Sequence, residues 1–428
     1  MQFNAIPLWG GLCLLFSAGA ATAQAPANTF AASTNHSACI RPDGSLWTWG
    51  MNLQGQLGNG TTTGSPAPVQ VLPDAPDTHW AQVAAGISHT LAITTDGRLY
   101  AWGCNHEGQL GDGTTTSHES PVAIEVPGTA HTSWKQVAAG SSHSLALTAD
   151  GRLYTWGINT NGQLGNGLAR DCTTPIEVPL PASAATTTWA QVAAGNDHTL
   201  ALTADGRLFA WGGNLHGQLG NGTNNSTPQP VAVALPRGRG GAHWAQVAAG
   251  RYHTLAVTTD GRLYTWGSNR FGQLGETRDT GHNAPEMLAM PARLAHMAWA
   301  QVAAGDAHSL ALSADGQLAA WGNNCAGQLG NGTTTARFRP VAVARPQASA
   351  AWTGIASGGF HTLALTKDGQ LCTWGCNCFG QLGNGTTTNH NRPQNPETPT
   401  SSRVQPNAAD GLSLAPTGRV SLPHKSRY

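Results

Sequence analysis

Seven histidines, His36, His89, His143, His198, His253, His308 and His361, share one register of the chain. Imidazoles can ligate metals or act as general bases. Such chemistry needs one asymmetric constellation, whereas these residues recur once per unit of about 54 residues, so each is expected to hydrogen-bond backbone in its own or the next unit. The same argument makes Asp43, Asp96, Asp150, Asp205, Asp260, Asp315 and Asp368 turn formers. Seven cysteines follow Cys13, namely Cys39, Cys104, Cys172, Cys325, Cys372, Cys376 and Cys378. In an exported chain this odd number leaves a thiol unpaired or paired between molecules. The spacing Cys372-x3-Cys376-x-Cys378 matches no standard zinc ligand set. Cys372 stands where other copies have Tyr, and the other two fall at freely varying positions. Small-residue substitution is the favoured reading, with a disulfide and a metal site as the alternatives, and no metal is expected.

The Gly-Gln-Leu-Gly-Asn-Gly-Thr stretches, as at Gly217 to Thr223, resemble phosphate loops but lack the Gly-Lys-[Ser/Thr] ending and open no helix. They read as turns, as do the Asn-Gly-Thr sequons at Asn59, Asn221, Asn331 and Asn384. Lysines number three, Lys135, Lys367 and Lys425, which leaves little material for Schiff-base chemistry. No catalytic residue and no cofactor are expected, and the chain reads as a non-enzyme.

The elements that position these residues follow from the repeat. The pattern W-x-Q-V-A-A-G-x-x-H-[TS]-L-A-L-x-x-D-G-x-L-x-x-W-G-x-N-x-x-G-Q-L-G places its second tryptophan at Trp49, Trp102, Trp156, Trp211, Trp266, Trp321 and Trp374, at intervals of 53, 54, 55, 55, 55 and 53 residues. Gln-Val-Ala-Ala-Gly, His-Thr-Leu-Ala-Leu and Arg-Leu-Tyr-Thr-Trp read as short strands. Asp-Gly pairs such as Asp96-Gly97 and Asp205-Gly206 join the second to the third, because both residues tolerate φ > 0. A fourth strand is expected around Pro121-Val122 and Pro230-Val231. Four antiparallel strands repeated seven times predict an all-β fold, a seven-bladed β-propeller. Small residues in Val-Ala-Ala-Gly suit the crowded axis, and two tryptophans per unit supply bulk between the splayed blades.

Composition agrees. Charged residues are 10% of 428, with 22 basic and 22 acidic side chains, so no phosphate-neutralising field exists and no nucleic acid partner is expected. An apolar stretch over 6–20 ends in Ala21-Thr22-Ala23, a cleavage pattern that would leave Gln24 first in the mature chain, although the region before it has no Lys or Arg. Residues 1–23 are therefore expected to be a signal peptide, 24–404 the propeller, and the product exported to the periplasm or beyond. No membrane span is expected in the mature chain. Residues 405–428 include Leu412-Ser413-Leu414-Ala415, which reads as a remnant eighth unit, a ring-closing strand or a disordered tail.

The long A-A-G-x-x-H-[TS]-L-A-L-x-x-D-G-x-L-x-x-W-G-x-N-x-x-G-Q-L-G signature closely resembles the regulator-of-chromosome-condensation repeat over roughly residues 27 to 404. A WD-repeat propeller fits poorly, its period being shorter. The resemblance implies a seven-bladed propeller and two functional precedents: eukaryotic guanine-nucleotide exchange factors for the small GTPase Ran that bind chromatin, and a secreted bacterial inhibitor of β-lactamases. The even spacing leaves no room for a wedge-like insertion of the kind the exchange factors use.

What varies between copies points to a binding face. The two residues before each histidine and those after Trp-Gly lie on the first-to-second and third-to-fourth connections, which emerge together. They include His106, Glu107, Asp197, His216, Arg251, Tyr252, Arg270, Phe271, Asp306, Phe360 and Phe379. Arginines and aromatics are the types enriched at interface anchors. Arg251, Tyr252, Arg270, Phe271, Phe360 and Phe379 are the candidate protein-binding residues, and the first four are expected to converge on blade five. The expected activity is an exported, monomeric bacterial-type propeller that binds a protein through this face; the alternative is exchange on a small GTPase, as a secreted effector.

Overall fold

The computed structural model describes residues 29–72, 78–128, 132–236, 241–278, 280–345 and 351–396. The expected signal peptide, the 405–428 segment and the outer limits of the 24–404 boundary lie outside these residues.

Within them the repeat folds as its pattern dictates. Twenty-eight strands, β1 to β28 in chain order, form seven four-stranded antiparallel sheets, each built from four consecutive strands. The first blade is β1 (Phe30–Ala32), β2 (His36–Ile40), β3 (Leu46–Gly50) and β4 (Ser65–Val71). The fifth is β17 (Trp244–Ala249), β18 (His253–Thr258), β19 (Leu263–Gly267) and β20 (His282–Met287). One 3-10 turn, Ala182–Ala184, is the single helical element among the described residues. The innermost strand of each sheet lies against that of the next, and the first against the last. Among the described residues no strand is shared between the first and seventh blades, which meet through packing. Trp49 Nε1 donates to the Gln381 carbonyl at 2.8 Å, and the Gly359 N–H to Ser33 at 3.1 Å.

The Asp-Gly turns adopt the expected positive φ, 83° at Gly97 and 77° at Gly206. At Asp96, Asp150, Asp205, Asp260 and Asp315 the aspartate also accepts a bond from the hydroxyl two residues before it, as Thr94 to Asp96, whereas Asp43 accepts from Ser45.

Tryptophans hold the blades together. Those of the third strands are fully buried, and Trp244 packs edge-on against Tyr264 at 5.3 Å. Each third-strand indole N–H reaches the carbonyl of the Gln in the preceding blade's Gly-Gln-Leu-Gly turn, as Trp266 to Gln218 at 2.9 Å.

The seven histidines are structural and fully buried, but their partners differ from the expectation. Each Nε2 meets a hydroxyl of the next blade rather than backbone: His36 with Thr90 at 2.9 Å, His253 with Ser309 at 2.9 Å, and so around to His361 with Ser37 at 2.7 Å. The reason lies in the hydroxyls, each of which donates its hydrogen to a Gln carbonyl, as Ser309 to Gln273 at 2.7 Å. The oxygen can then only accept from the ring, so Nε2 carries the proton and the imidazole is neutral. Burial holds the histidines at a pKa of about 3, or about 4 for His89.

Candidate functional site

The two connections that carry the variable residues lie side by side in every blade. In the fifth, the Ser268 N–H donates to the Tyr252 carbonyl at 2.8 Å. Gly267 makes this possible: its φ is 101°, and a Cβ there would lie 2.5 Å from the same carbonyl oxygen. The third-to-fourth connection is wired by its own side chains. Asn269 Oδ1 accepts from the Leu274 N–H at 2.9 Å, and Gln273 Oε1 from the Phe271 N–H at 2.8 Å. The tip residues Arg270 and Phe271 are thereby presented to solvent on a fixed loop.

Side chains on this face couple across blade boundaries. Arg251 Nη1 lies 3.7 Å from Asp306 Oδ2 of the sixth blade, and its guanidinium sits 5.2 Å from the centre of the Tyr252 ring. That ring lies 4.8 Å from His216 of the fourth blade. Burial raises the Asp306 carboxyl and the Arg251 guanidinium opposes the shift; burial likewise raises Asp197, against Gln218, His216 and Arg251. Asp197 Oδ1 is buried with no hydrogen-bond partner. Asp197, His216, Arg251, Tyr252 and Asp306 thus form one arc across three blades, of which Arg251 and Asp306 line the mouth of the central channel.

The six candidate residues are distributed unevenly. Arg251 and Tyr252 belong to the arc. Among the described residues no hydrogen bond, ion pair or ring contact joins their side chains to Arg270 or Phe271, and the adjacency of the two connections is a backbone one. Phe271 is exposed instead beside Gly272, whose Cβ position lies 2.6 Å from Phe338 of the sixth blade. Phe360 is half-buried, its carbonyl accepting from the Cys376 N–H at 2.8 Å, and Phe379 is exposed on the next connection. Position-by-position reading passed over Asp306 and His216 as anchors, although both stood among the variable residues. Their pairing appears only once neighbouring blades are juxtaposed.

Apolar exposure concentrates here. Nine large hydrophobic side chains are exposed among the described residues, and six of them, Leu53, Ile87, Leu168, Leu215, Phe271 and Phe379, lie on these two kinds of connection. The opposite face carries local pairs such as Arg98 with Asp96 at 3.1 Å and Arg262 with Asp260 at 3.3 Å. The channel holds a cavity of 200 Å³ and its mouth one of 110 Å³. These fall below the roughly 300 Å³ where small-molecule sites begin. Elsewhere Glu276, His282 and Glu286 cluster closely, but His282 bonds both carboxylates, at 3.0 and 3.1 Å, and Arg278 contacts both as well. No helix among the described residues is long and apolar enough to cross a membrane.

Comparison with known proteins gives the same architecture. The RCC1-like domain matches residues 169–421, and the regulator of chromosome condensation (RCC1) repeat matches 43–93 and 96–147. The chain is 34% identical to the ultraviolet-B receptor UVR8 of Arabidopsis thaliana over 85% of its own length and 80% of the receptor's. It is 33% identical to the human E3 ubiquitin-protein ligase HERC2 over 82% of its length, but this spans 7% of the ligase. Human WBSCR16 superposes with a TM-score of 0.73 at 25% identity, covering 83% of this chain and 94% of that one. Prp20p from Saccharomyces cerevisiae, whose crystal structure is described with its binding properties to Gsp1p and histones, gives 0.71 at 25% identity over 87% and 88%.

Proposed function

The chain belongs to the regulator of chromosome condensation (RCC1) repeat family, and from that premise we propose that it is a non-enzymatic propeller, acting as a monomer, that binds a protein partner through the face carrying the first-to-second and third-to-fourth connections. The observation that carries the reading is the placement of six of the nine exposed large apolar side chains on those connections. Beside them lies the arginine and aromatic pair Arg251 and Tyr252, types that dominate binding energy at interfaces. A rim of loops fixed by internal hydrogen bonds has little ordering entropy left to lose on association.

Export is a further part of the proposal, resting on the apolar leader and its Ala21-Thr22-Ala23 ending. The relatives named above are from a plant, human and yeast, so the bacterial-type assignment rests on the sequence resemblance alone. The test of the binding face is capture by the full chain from periplasm, medium and host-cell lysate. Tyr252→Ala with Phe271→Ala should weaken capture at least about tenfold, equivalent to ~1.4 kcal/mol. Arg207→Glu with Arg262→Glu on the opposite face should leave it unchanged. The converse pattern would overturn the reading.

Exchange on a small GTPase is the second reading, favoured by the likeness to Prp20p. Accelerated release of labelled GDP from purified Ran would support it, and an unchanged release rate at micromolar propeller would remove it.

A further inference from the structure

The two positions that flank the buried asparagine of the third-to-fourth connection face one another in the second and seventh blades. That asparagine is Asn377 in the seventh blade, and its backbone and side chain are held from every side. Its N–H donates to Asn389 Oδ1 at 2.7 Å, its Nδ2 donates to the Thr386 carbonyl at 2.9 Å, and its Oδ1 accepts from the Leu382 N–H at 2.9 Å. The preceding Cys376 N–H is tied to the Phe360 carbonyl. With the backbone fixed, the flanking side chains converge, and the Sγ atoms of Cys376 and Cys378 lie 3.5 Å apart. The second blade repeats the geometry independently, with Cys104 Sγ 3.7 Å from His106 Nδ1 at the same two positions. In the remaining blades those positions hold Met51 and Leu53, Ile158 and Thr160, Gly213 and Leu215, Ser268 and Arg270, Asn323 and Cys325. The seventh blade alone places a thiol at both.

We infer that Cys376 and Cys378 are a redox-active dithiol on the outer rim of the loop face, closing reversibly to an intraloop disulfide by exchange with small-molecule disulfides such as oxidised glutathione. The two thiols are unequal in access. Cys378 is exposed and Cys376 half-buried, so Cys378 makes the first attack. Its thiolate displaces one glutathione thiolate and forms a mixed disulfide; the Cys376 thiolate then attacks the Cys378 sulfur and displaces the second. Both protein protons end on the two glutathione molecules, and the protein loses two hydrogens. Burial pushes the Cys376 thiol up, so this second step is the slower one and quickens as pH rises. The sulfurs must close from 3.5 Å to a bond of about 2.05 Å, a movement the side chains can make because the pair already meets. Cys372 is fully buried in the strand behind and takes no part. The inference is independent of any binding partner, although closure would also bear on Phe379, which follows Cys378 directly.

The experiment incubates the full chain in glutathione buffers of graded oxidised-to-reduced ratio, blocks remaining thiols with N-ethylmaleimide, and maps the products by mass spectrometry with fragment ions. The expected product has lost two hydrogens between Cys376 and Cys378, is restored by excess reduced glutathione, and persists in Cys325→Ser. Cys376→Ser should stop at a glutathione adduct on Cys378, and this variant's circular dichroism should match the parent because Ser268 occupies the same position in the fifth blade. A parent chain that stops at the Cys378 adduct, or whose link disappears in Cys325→Ser, overturns the inference.

Discussion

Arg251 of the fifth blade reaches Asp306 of the neighbouring sixth at the channel mouth, Nη1 to Oδ2, at 3.7 Å. The pair holds a guanidinium over Tyr252 while leaving nearly half of the arginine side chain open to solvent.

Partly exposed ion pairs contribute about 0–1 kcal/mol to stability, whereas an interface arginine can contribute about 2 kcal/mol or more to binding. Arg251→Ala is therefore expected to shift the urea midpoint little and to weaken partner capture strongly. Equal losses in both measurements would mean that Arg251 serves the fold rather than the face.

The histidine ring predicts acid sensitivity. Each folded-state pKa lies at about 3 or 4, below the 6.5 of an unfolded histidine. The unfolded chain therefore binds more protons between those values, so stability is full above about pH 6.5 and falls as the pH drops toward 4. Six of the seven Nδ1 atoms are buried without a hydrogen-bond partner. With seven such groups the slope is on the order of 10 kcal/mol per pH unit, so cooperative unfolding is expected between about pH 6 and 4. A Tm at pH 4.5 equal to that at pH 7.5 would contradict it.

Trp211→Ala removes a fully buried indole and its 3.0 Å bond to the Gln163 carbonyl. A loss of about 3–5 kcal/mol is expected in denaturant titration. A change near zero would mean that the blades do not rest on these rings.

Gly267→Ala places a Cβ 2.5 Å from the Tyr252 carbonyl at a φ of 101°. The strain is expected to cost about 1–3 kcal/mol, and displacement of the neighbouring loops should reduce capture as well. Unchanged stability would show that the two connections are not held as described.

If the leader is removed as proposed, N-terminal sequencing of exported protein begins at Gln24. Mature protein beginning at Met1 would contradict export by this route.

Much of this fold was legible because each unit repeats its own punctuation. Asp-Gly fixed the second hairpin, Gln-Val-Ala-Ala the inner strand, and the paired tryptophans the space between blades. Relations between units were harder to read. The residue after each histidine is always Ser or Thr, a signal that a hydroxyl was needed, yet its partner is the histidine of the preceding blade. Thr90, for instance, serves His36, which lies 54 residues away. A step of one blade likewise separates Arg251 from Asp306 and Tyr252 from His216, so the arc emerges only when neighbouring blades are set in register. Convergence of Arg251 and Tyr252 with Arg270 and Phe271 was expected from chain proximity. The backbone provides it through Ser268, while the side chains of Arg251 and Tyr252 turn toward other blades.

The binding face is tested most directly by photo-crosslinking. An unnatural photoreactive residue replaces, one at a time, Ile87, Leu215, Phe271 or Phe379 on the loop face, and Arg98, Arg207 or Arg262 on the opposite face. Each variant is irradiated with the captured partner. Covalent adducts from the loop-face positions and none from the Asp-Gly face are the expected result; adducts confined to Arg98, Arg207 and Arg262 would contradict the assignment of the face.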